Sequence, residues 1–192
     1  MGALANASHI VLNGLNKDSA QKDKIIVEIL EKLSFGITWE NGSLLLDKPK
    51  PIPKSKSQPQ TANLELDASD YPDIVPYIAV VSAANTKKTV IKNISRLRFK
   101  ECDRVEATIK ALEAVGVNSF EADGNLVING IEPKENVVTT INDIFVETYG
   151  DHRIAMTACL IAAWTDRTVY IDNKDCVNKS FPGLFELLEH SR

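Results

Sequence analysis

Charged residues that could bind and turn over a small anion crowd into four short stretches of this sequence. Lys100-Glu101-Cys102-Asp103-Arg104 and Asp151-His152-Arg153 are the densest, Asp73 follows Pro72, and Lys179 precedes Ser180. Lysine and arginine bind phosphate or carboxylate, arginine in a bidentate fork. A carboxylate or imidazole beside them can move a proton. Three of the stretches, those at Lys100, Asp151 and Lys179, place cations at the expected start of a helix. A helix N-terminus carries partial positive charge, so a cation there is unfavourable by about 0.3–1 kcal/mol unless something compensates. Three such starts imply a compensating anion, held by side chains together with free backbone N–H groups. Structural alternatives stand beside each reading. Lys100 and Arg104 could be surface charges paired with Glu101 and Asp103. Asp73 and Asp151 could be helix caps, His152 a satisfied histidine, and Lys179 an ordinary surface lysine.

The charge distribution supports a discrete site over a diffuse one. The 192-residue chain has a net charge of −4. Residues 87–104 carry seven cations (Lys87, Lys88, Lys92, Arg96, Arg98, Lys100, Arg104) against Glu101 and Asp103, a local +5 that leaves −9 elsewhere. An acidic chain with one basic stretch fits a small anion and not a nucleic-acid partner. No apolar run is long enough to span a membrane. Cys102, Cys159 and Cys176 fit no metal-ligand spacing and make an odd set for disulfides, which points to a reduced, cytoplasmic protein. No Gly-rich phosphate loop or nucleophile elbow is found, and neither a metal nor a cofactor is expected.

The elements that must position these residues follow from periodicity. His9–Gly14 reads as a strand, residues 18–34 as a helix, and Ile37–Glu40 with Ser43–Leu46 as a hairpin turned by Asn41-Gly42. The order recurs about 80 residues later. There Thr89–Asn93 is a strand, residues 101–115 a helix, and Val117–Phe120 with Leu126–Ile128 a hairpin turned by Asp123-Gly124. A third, incomplete copy opens at Thr168–Asp172 and ends on a helix, Phe181–Glu189. Helices over 73–84 and 152–164 are apolar almost all round and are expected to be buried. The Pro-rich residues 47–62 read as a loop, and the first residues as the tail of a helix. The reading is one α/β domain over 1–192, with copies at about 9–84, 88–164 and 168–192 around buried central helices.

Four motifs now identify a relative. Leu97-Arg98-Phe99-Lys100-Glu101-Cys102-Asp103-Arg104 resembles an "RxKESDR" signature, and Tyr149–Met156 a "GDHRxAM" signature. Tyr71-Pro72-Asp73-Ile74-Val75-Pro76 resembles "PDLVP", and Lys179-Ser180-Phe181-Pro182 resembles "K-[ST]-F-P". Their order and spacing resemble the C-terminal half of the 5-enolpyruvylshikimate-3-phosphate synthase family (3-phosphoshikimate 1-carboxyvinyltransferases). The family's N-terminal "PGDKS", "GNAGTxxR" and "QxS" elements are not found, so the chain is expected to be an isolated C-terminal domain. The resemblance implies repeated βαβαββ units in a pseudo-threefold arrangement.

The resemblance also implies a reaction. The enolpyruvyl group of phosphoenolpyruvate passes to the 5-hydroxyl of shikimate-3-phosphate, and phosphate leaves. It implies that Asp73 contacts shikimate hydroxyls and accepts a proton, and that Glu101 is a general acid–base. Lys100 would bind shikimate-3-phosphate. Arg104, Arg153 and Lys179 would bind phosphoenolpyruvate, with Asp151 and His152 in support. The partner implied is the N-terminal domain of the same enzyme, without which the chain is expected to be inactive. Cys102 stands where the family has Ser or Thr, and Arg96 where some members carry a substrate-contacting Asn. Two alternatives are an enolpyruvyl transferase acting on a nucleotide sugar and a standalone, non-catalytic anion-binding domain.

Overall fold

The computed structural model describes residues 9–47, 61–130 and 143–189. The helix-tail reading of the first residues and most of the expected 47–62 loop lie outside these. Strand β1 (His9–Asn13) leads through a 3₁₀ turn to helix α1 (Ile25–Lys32), then to β2 (Gly36–Glu40) and β3 (Ser43–Asp47). Asn41 and Gly42 both take positive φ, as a tight hairpin needs. The three strands form an antiparallel sheet in the order β1-β3-β2. Helix α1 is shorter than the expected 18–34, because Lys22–Lys24 is a 3₁₀ turn and Leu33 leaves the helix.

The next unit is complete. It runs β4 (Thr61–Asp67), α2 (Val75–Asn85), β5 (Thr86–Lys92), α3 (Arg104–Glu113), β6 (Ser119–Ala122) and β7 (Asn125–Asn129). Its sheet order is β4-β5-β7-β6, with β4 and β5 parallel and the other pairs antiparallel. This is a βαβαββ unit, and it begins at β4. The boundary expected at residues 84–88 therefore falls inside it, between a helix and the strand that the helix feeds. The first sheet matches its second half, with β1-β3-β2 equivalent to β5-β7-β6. A third sheet pairs β8 (Ile144–Val146) in parallel with β9 (Val169–Ile171) around α4 (His152–Thr165), matching β4, β5 and α2. The described residues end on a 3₁₀ turn, Asp175–Lys179, and α5 (Leu184–Glu189), which starts three residues later than expected.

The core explains why α2 and α4 carry so little polarity. Val75, Ile78, Ala79 and Val80 of α2 and Ile154, Ala158 and Ile161 of α4 are buried in one cluster with Leu64, Leu66, Ile91, Leu97, Leu112, Leu126 and Ile128. These two helices pack on each other and α3 packs on both, which brings their N-terminal ends together. One glycine is sterically forced. Gly130 donates its N–H to Lys87 O at 2.9 Å, and a Cβ there would sit 1.6 Å from Thr86 O. Among the described residues no helix is long and apolar enough to cross a membrane.

Candidate active site

The cations at the helix starts are compensated by the protein's own carboxylates. Helix α3 begins at Arg104 and not at residue 101, because Asp103 is its cap, accepting from the N–H groups of Val105 (3.1 Å) and Glu106 (3.2 Å). Arg98 holds the second oxygen of Asp103 and also Glu121. The Arg104 side chain turns inward and is only 3% exposed. Its Nε donates to Asp151 Oδ2 at 2.7 Å and its Nη2 to Asp151 Oδ1 at 3.2 Å. Its Nη1 donates to Asp73 Oδ1 at 2.8 Å. Asp151 is fully buried and also caps α4, accepting from Arg153 N at 2.8 Å.

A tight turn delivers Asp151. Thr148 donates its N–H to Asp172 Oδ1 at 2.7 Å, and its carbonyl accepts from Asp151 N at 2.9 Å. Tyr149 (φ +53°) and Gly150 (φ +68°) between them are both left-handed. Gly150 adopts this freely, whereas tyrosine does so at a cost of about 1–2 kcal/mol.

Around the buried Arg104–Asp151 pair lies a looser ring. Lys100 Nζ meets Asp73 Oδ1 at 3.0 Å, and Arg153 Nη2 approaches Asp73 Oδ2 at 3.8 Å. On the other side, Glu101 receives His152 Nδ1 at 2.8 Å on one oxygen and Lys179 on the other. An open cleft of about 360 Å³ is lined by Asp73, Lys100, Glu101, Arg104, His152 and Arg153. The eight residues picked from sequence thus form one connected network. The wider basic stretch does not join it. Lys92 pairs with Glu65 at 2.6 Å, Arg96 donates to Ser69 O at 3.1 Å, and Lys87 and Lys88 lie on β5.

Three side chains of the site were not singled out by sequence. Tyr77 donates its hydroxyl to Met156 Sδ at 3.3 Å beside Arg153, and burial raises its pKa. Lys110 and Asp172 hold the turn before Asp151. Helical and strand spacing alone could not bring these to the site. Cys102 touches Asp151 Oδ2 at 3.5 Å, and burial together with that charge pushes its thiol up to about 12, so it stays protonated and unreactive. Ligand atoms of Glu101, Asp151 and His152 lie within 4.8 Å of one another. The Arg104 guanidinium already bonds Asp151 and approaches Glu101 at 3.8 Å, so this set is built around an organic cation and does not fit a metal ion.

The three carboxylates are held ionised. Burial pushes Asp73 upward, but Lys100, Arg153 and Arg104 outweigh it and leave it below its ordinary value. Burial likewise opposes Asp151, and Arg104 with the Arg153 N–H prevails. For Glu101, burial and the charge of Asp151 raise, while Lys179 and His152 lower, and the net shift is downward. Folded pKa values below the unfolded ones of about 4 give stability that is present above pH 4 and lost as pH falls through the folded values. Urea unfolding is therefore expected to show stability falling steeply below about pH 4. Asp151→Asn should make that acid dependence shallower; an unchanged slope would show that Asp151 does not contribute.

Comparison with known proteins now bears on this cleft. The family model described as EPSP synthase (3-phosphoshikimate 1-carboxyvinyltransferase) matches residues 1–188. A 3-phosphoshikimate 1-carboxyvinyltransferase of Clostridium botulinum (strain Alaska E43) is 32% identical over 182 residues, covering 93% of this chain and 38% of the relative. One from Archaeoglobus fulgidus is 35% identical over 183 residues, covering 95% and 40%. The chain thus spans about two-fifths of the length of the curated relatives it matches. An EPSP synthase structure from Acinetobacter baumannii superposes with a TM-score of 0.74 at 22% identity, over 98% of this chain and 43% of that one. The enolpyruvyl transferase NikO from Streptomyces tendae gives 0.65 at 17%, over 98% and 40%. At these identities the two structures establish the shared fold. The family match takes in every residue of the cleft network, and on it the chain belongs to the EPSP synthase (3-phosphoshikimate 1-carboxyvinyltransferase) family.

Proposed function

We propose that this chain supplies one wall of an active site that transfers the enolpyruvyl group of phosphoenolpyruvate to the 5-hydroxyl of shikimate-3-phosphate. The observation that carries this reading is the cleft itself. Four cations (Lys100, Arg104, Arg153, Lys179) and two exposed-edge carboxylates (Asp73, Glu101) converge there from four separate parts of the chain. Both substrates are small polyanions. Phosphate oxygens can take over Lys179, which lies in the open, and Lys100 and Arg153, which are partly exposed at the cleft. Arg104, fixed to Asp151 through Nε and Nη2, can turn its Nη1 from Asp73 to phosphoenolpyruvate. The nucleophile is a hydroxyl that must lose a proton as it attacks C2 of phosphoenolpyruvate. In this reading Asp73 accepts it. With three cations nearby Asp73 is a weak base, so loading the cleft with anions would raise its basicity when it is needed. Glu101 is ionised in the empty cleft, and a phosphate that takes over Lys179 raises its basicity. It can then take up a proton, give it to C3 as the hydroxyl adds to C2, and take one back from C3 as phosphate leaves C2 and the double bond re-forms. The surrounding cations stabilise the charge that builds on that leaving group.

The same reading makes the rest of a full-length relative the partner. Among the described residues, the first and third sheets each show half of the complete β4–β7 unit. The span of about two-fifths of the relatives' length also leaves room for a second wall. Three free thiols and an acidic balance fit action in the cytoplasm. The test is phosphate release from phosphoenolpyruvate and shikimate-3-phosphate. The chain alone should be inactive. Joined in frame behind the portion of the Clostridium botulinum relative that it does not span, it should turn over. Turnover by the chain alone would overturn the partner requirement. A folded fusion that binds neither substrate would overturn the assignment of this cleft.

A further inference from the structure

Helix α3 holds the turn before α4 at a second point, through a lysine that none of the motifs contains. Six residues beyond Arg104, Lys110 Nζ lies 3.2 Å from the Tyr149 hydroxyl and 2.8 Å from Glu106 Oε1. It is also 5.6 Å from the centre of the Tyr149 ring. Those two distances to Tyr149 put the ammonium beyond the hydroxyl and not over the ring face, so the contact is a hydrogen bond more than a cation–π pair. Glu106, one helical turn back, aims the lysine. Tyr149 is the left-handed non-glycine residue of the turn, and its backbone leads through Gly150, also left-handed, to Asp151, His152 and Arg153. From the opposite side Asp172 fixes only the first residue of that turn, Thr148.

We infer that Lys110 is a positioning residue: by holding the Tyr149 hydroxyl it keeps that residue left-handed and sets where Asp151, His152 and Arg153 face the cleft. Helix α3 then grips the turn twice, through Arg104 on Asp151 in the interior and through Lys110 on Tyr149 at the surface. The structural alternative is an ordinary Glu106–Lys110 surface pair that merely passes near a tyrosine.

The consequence for ligand binding rests on the proposed function; the effect on geometry does not. The full chain is compared as wild type, Lys110→Met, Lys110→Arg, Tyr149→Phe and the Lys110→Met/Tyr149→Phe pair. Two readouts are used: the NMR signals of Arg104 Nε–H and the His152 ring, and titration with inorganic phosphate. Lys110→Met and Tyr149→Phe should each shift both sets of signals and weaken phosphate binding about three- to five-fold. The double variant should be no worse than either single, and Lys110→Arg should restore the wild-type signals. Unmoved Arg104 and His152 signals, or strictly additive effects, would overturn the role of Lys110. A wild-type chain that binds no phosphate would leave the proposed function to be decided on the fusion, and the NMR signals alone would then decide the role of Lys110.

Discussion

Replacing Arg104 with methionine is expected to destabilise the chain by about 3–5 kcal/mol, the cost of breaking a buried ion pair by removing one partner. Arg104 is 3% exposed and Asp151 fully buried, so methionine leaves a carboxylate with no solvent and no counter-ion. Asp151 keeps the Arg153 N–H and the weakly donating Cys102 thiol, but these do not replace two guanidinium donors. Packing is not the cause, because methionine is long and adaptable enough to fill most of the space. The Arg104→Met/Asp151→Asn pair separates the two: asparagine still caps α4, the buried charge is gone, and part of the loss should return. Arg104→Lys should fall between, since one ammonium cannot bond both Asp151 oxygens and Asp73 together. Urea unfolding at pH 7 reads all four proteins. A loss under about 1 kcal/mol for Arg104→Met would mean that the pair is solvated and that the cleft lacks a fixed floor.

This pair shows what the sequence carries and what it hides. Cations at helix starts break a local electrostatic rule, and that much is visible in the order of residues. Which anion compensates them is a matter of three-dimensional approach. Asp73 and Asp151 lie 31 and 47 residues from Arg104, and no periodicity links them. The same limit explains the basic stretch. Counting charge along residues 87–104 treats them as one patch, but Lys92 at the end of β5 and Arg96 and Arg98 on the 3₁₀ turn Ile94–Phe99 go to separate partners. The hairpins at Asn41-Gly42 and Asp123-Gly124 were legible because their turns demand positive φ. Strand β4 does alternate, with Leu64 and Leu66 buried and Asn63, Glu65 and Asp67 exposed, but it abuts a Pro-rich run that masks its start. Strand β8 offers only three residues, too few for a period. Missing both strands shifted the repeat by half a unit. The motif residues were legible as a set through the resemblance, whose four signatures name residues and not the elements that deliver them.

The self-neutralised cleft leads to the prediction with the largest expected effect on activity. In the fusion that restores the second wall, Glu101→Gln is expected to lower kcat by about 10²–10⁴-fold, the range for removing a positioned acid–base group. Glutamine keeps the size and an acceptor oxygen but cannot carry the proton. Its effect on KM should run the other way. In the empty cleft Glu101 is the anion that occupies His152 and Lys179. A phosphate-bearing substrate has to compete with it for Lys179. On the proposed function, removing that charge frees the lysine for phosphoenolpyruvate, so the KM of that substrate should hold or fall while kcat collapses. Lys179→Ala should show the opposite split, a raised KM with a smaller loss in kcat, because the lysine binds ground and transition states alike while the proton donor remains. Steady-state kinetics on the three proteins, with each substrate varied in turn, distinguishes these patterns. If Glu101→Gln raised KM and left kcat near wild type, Glu101 would be a substrate-binding or structural group, and the proton would have to come from elsewhere in the cleft.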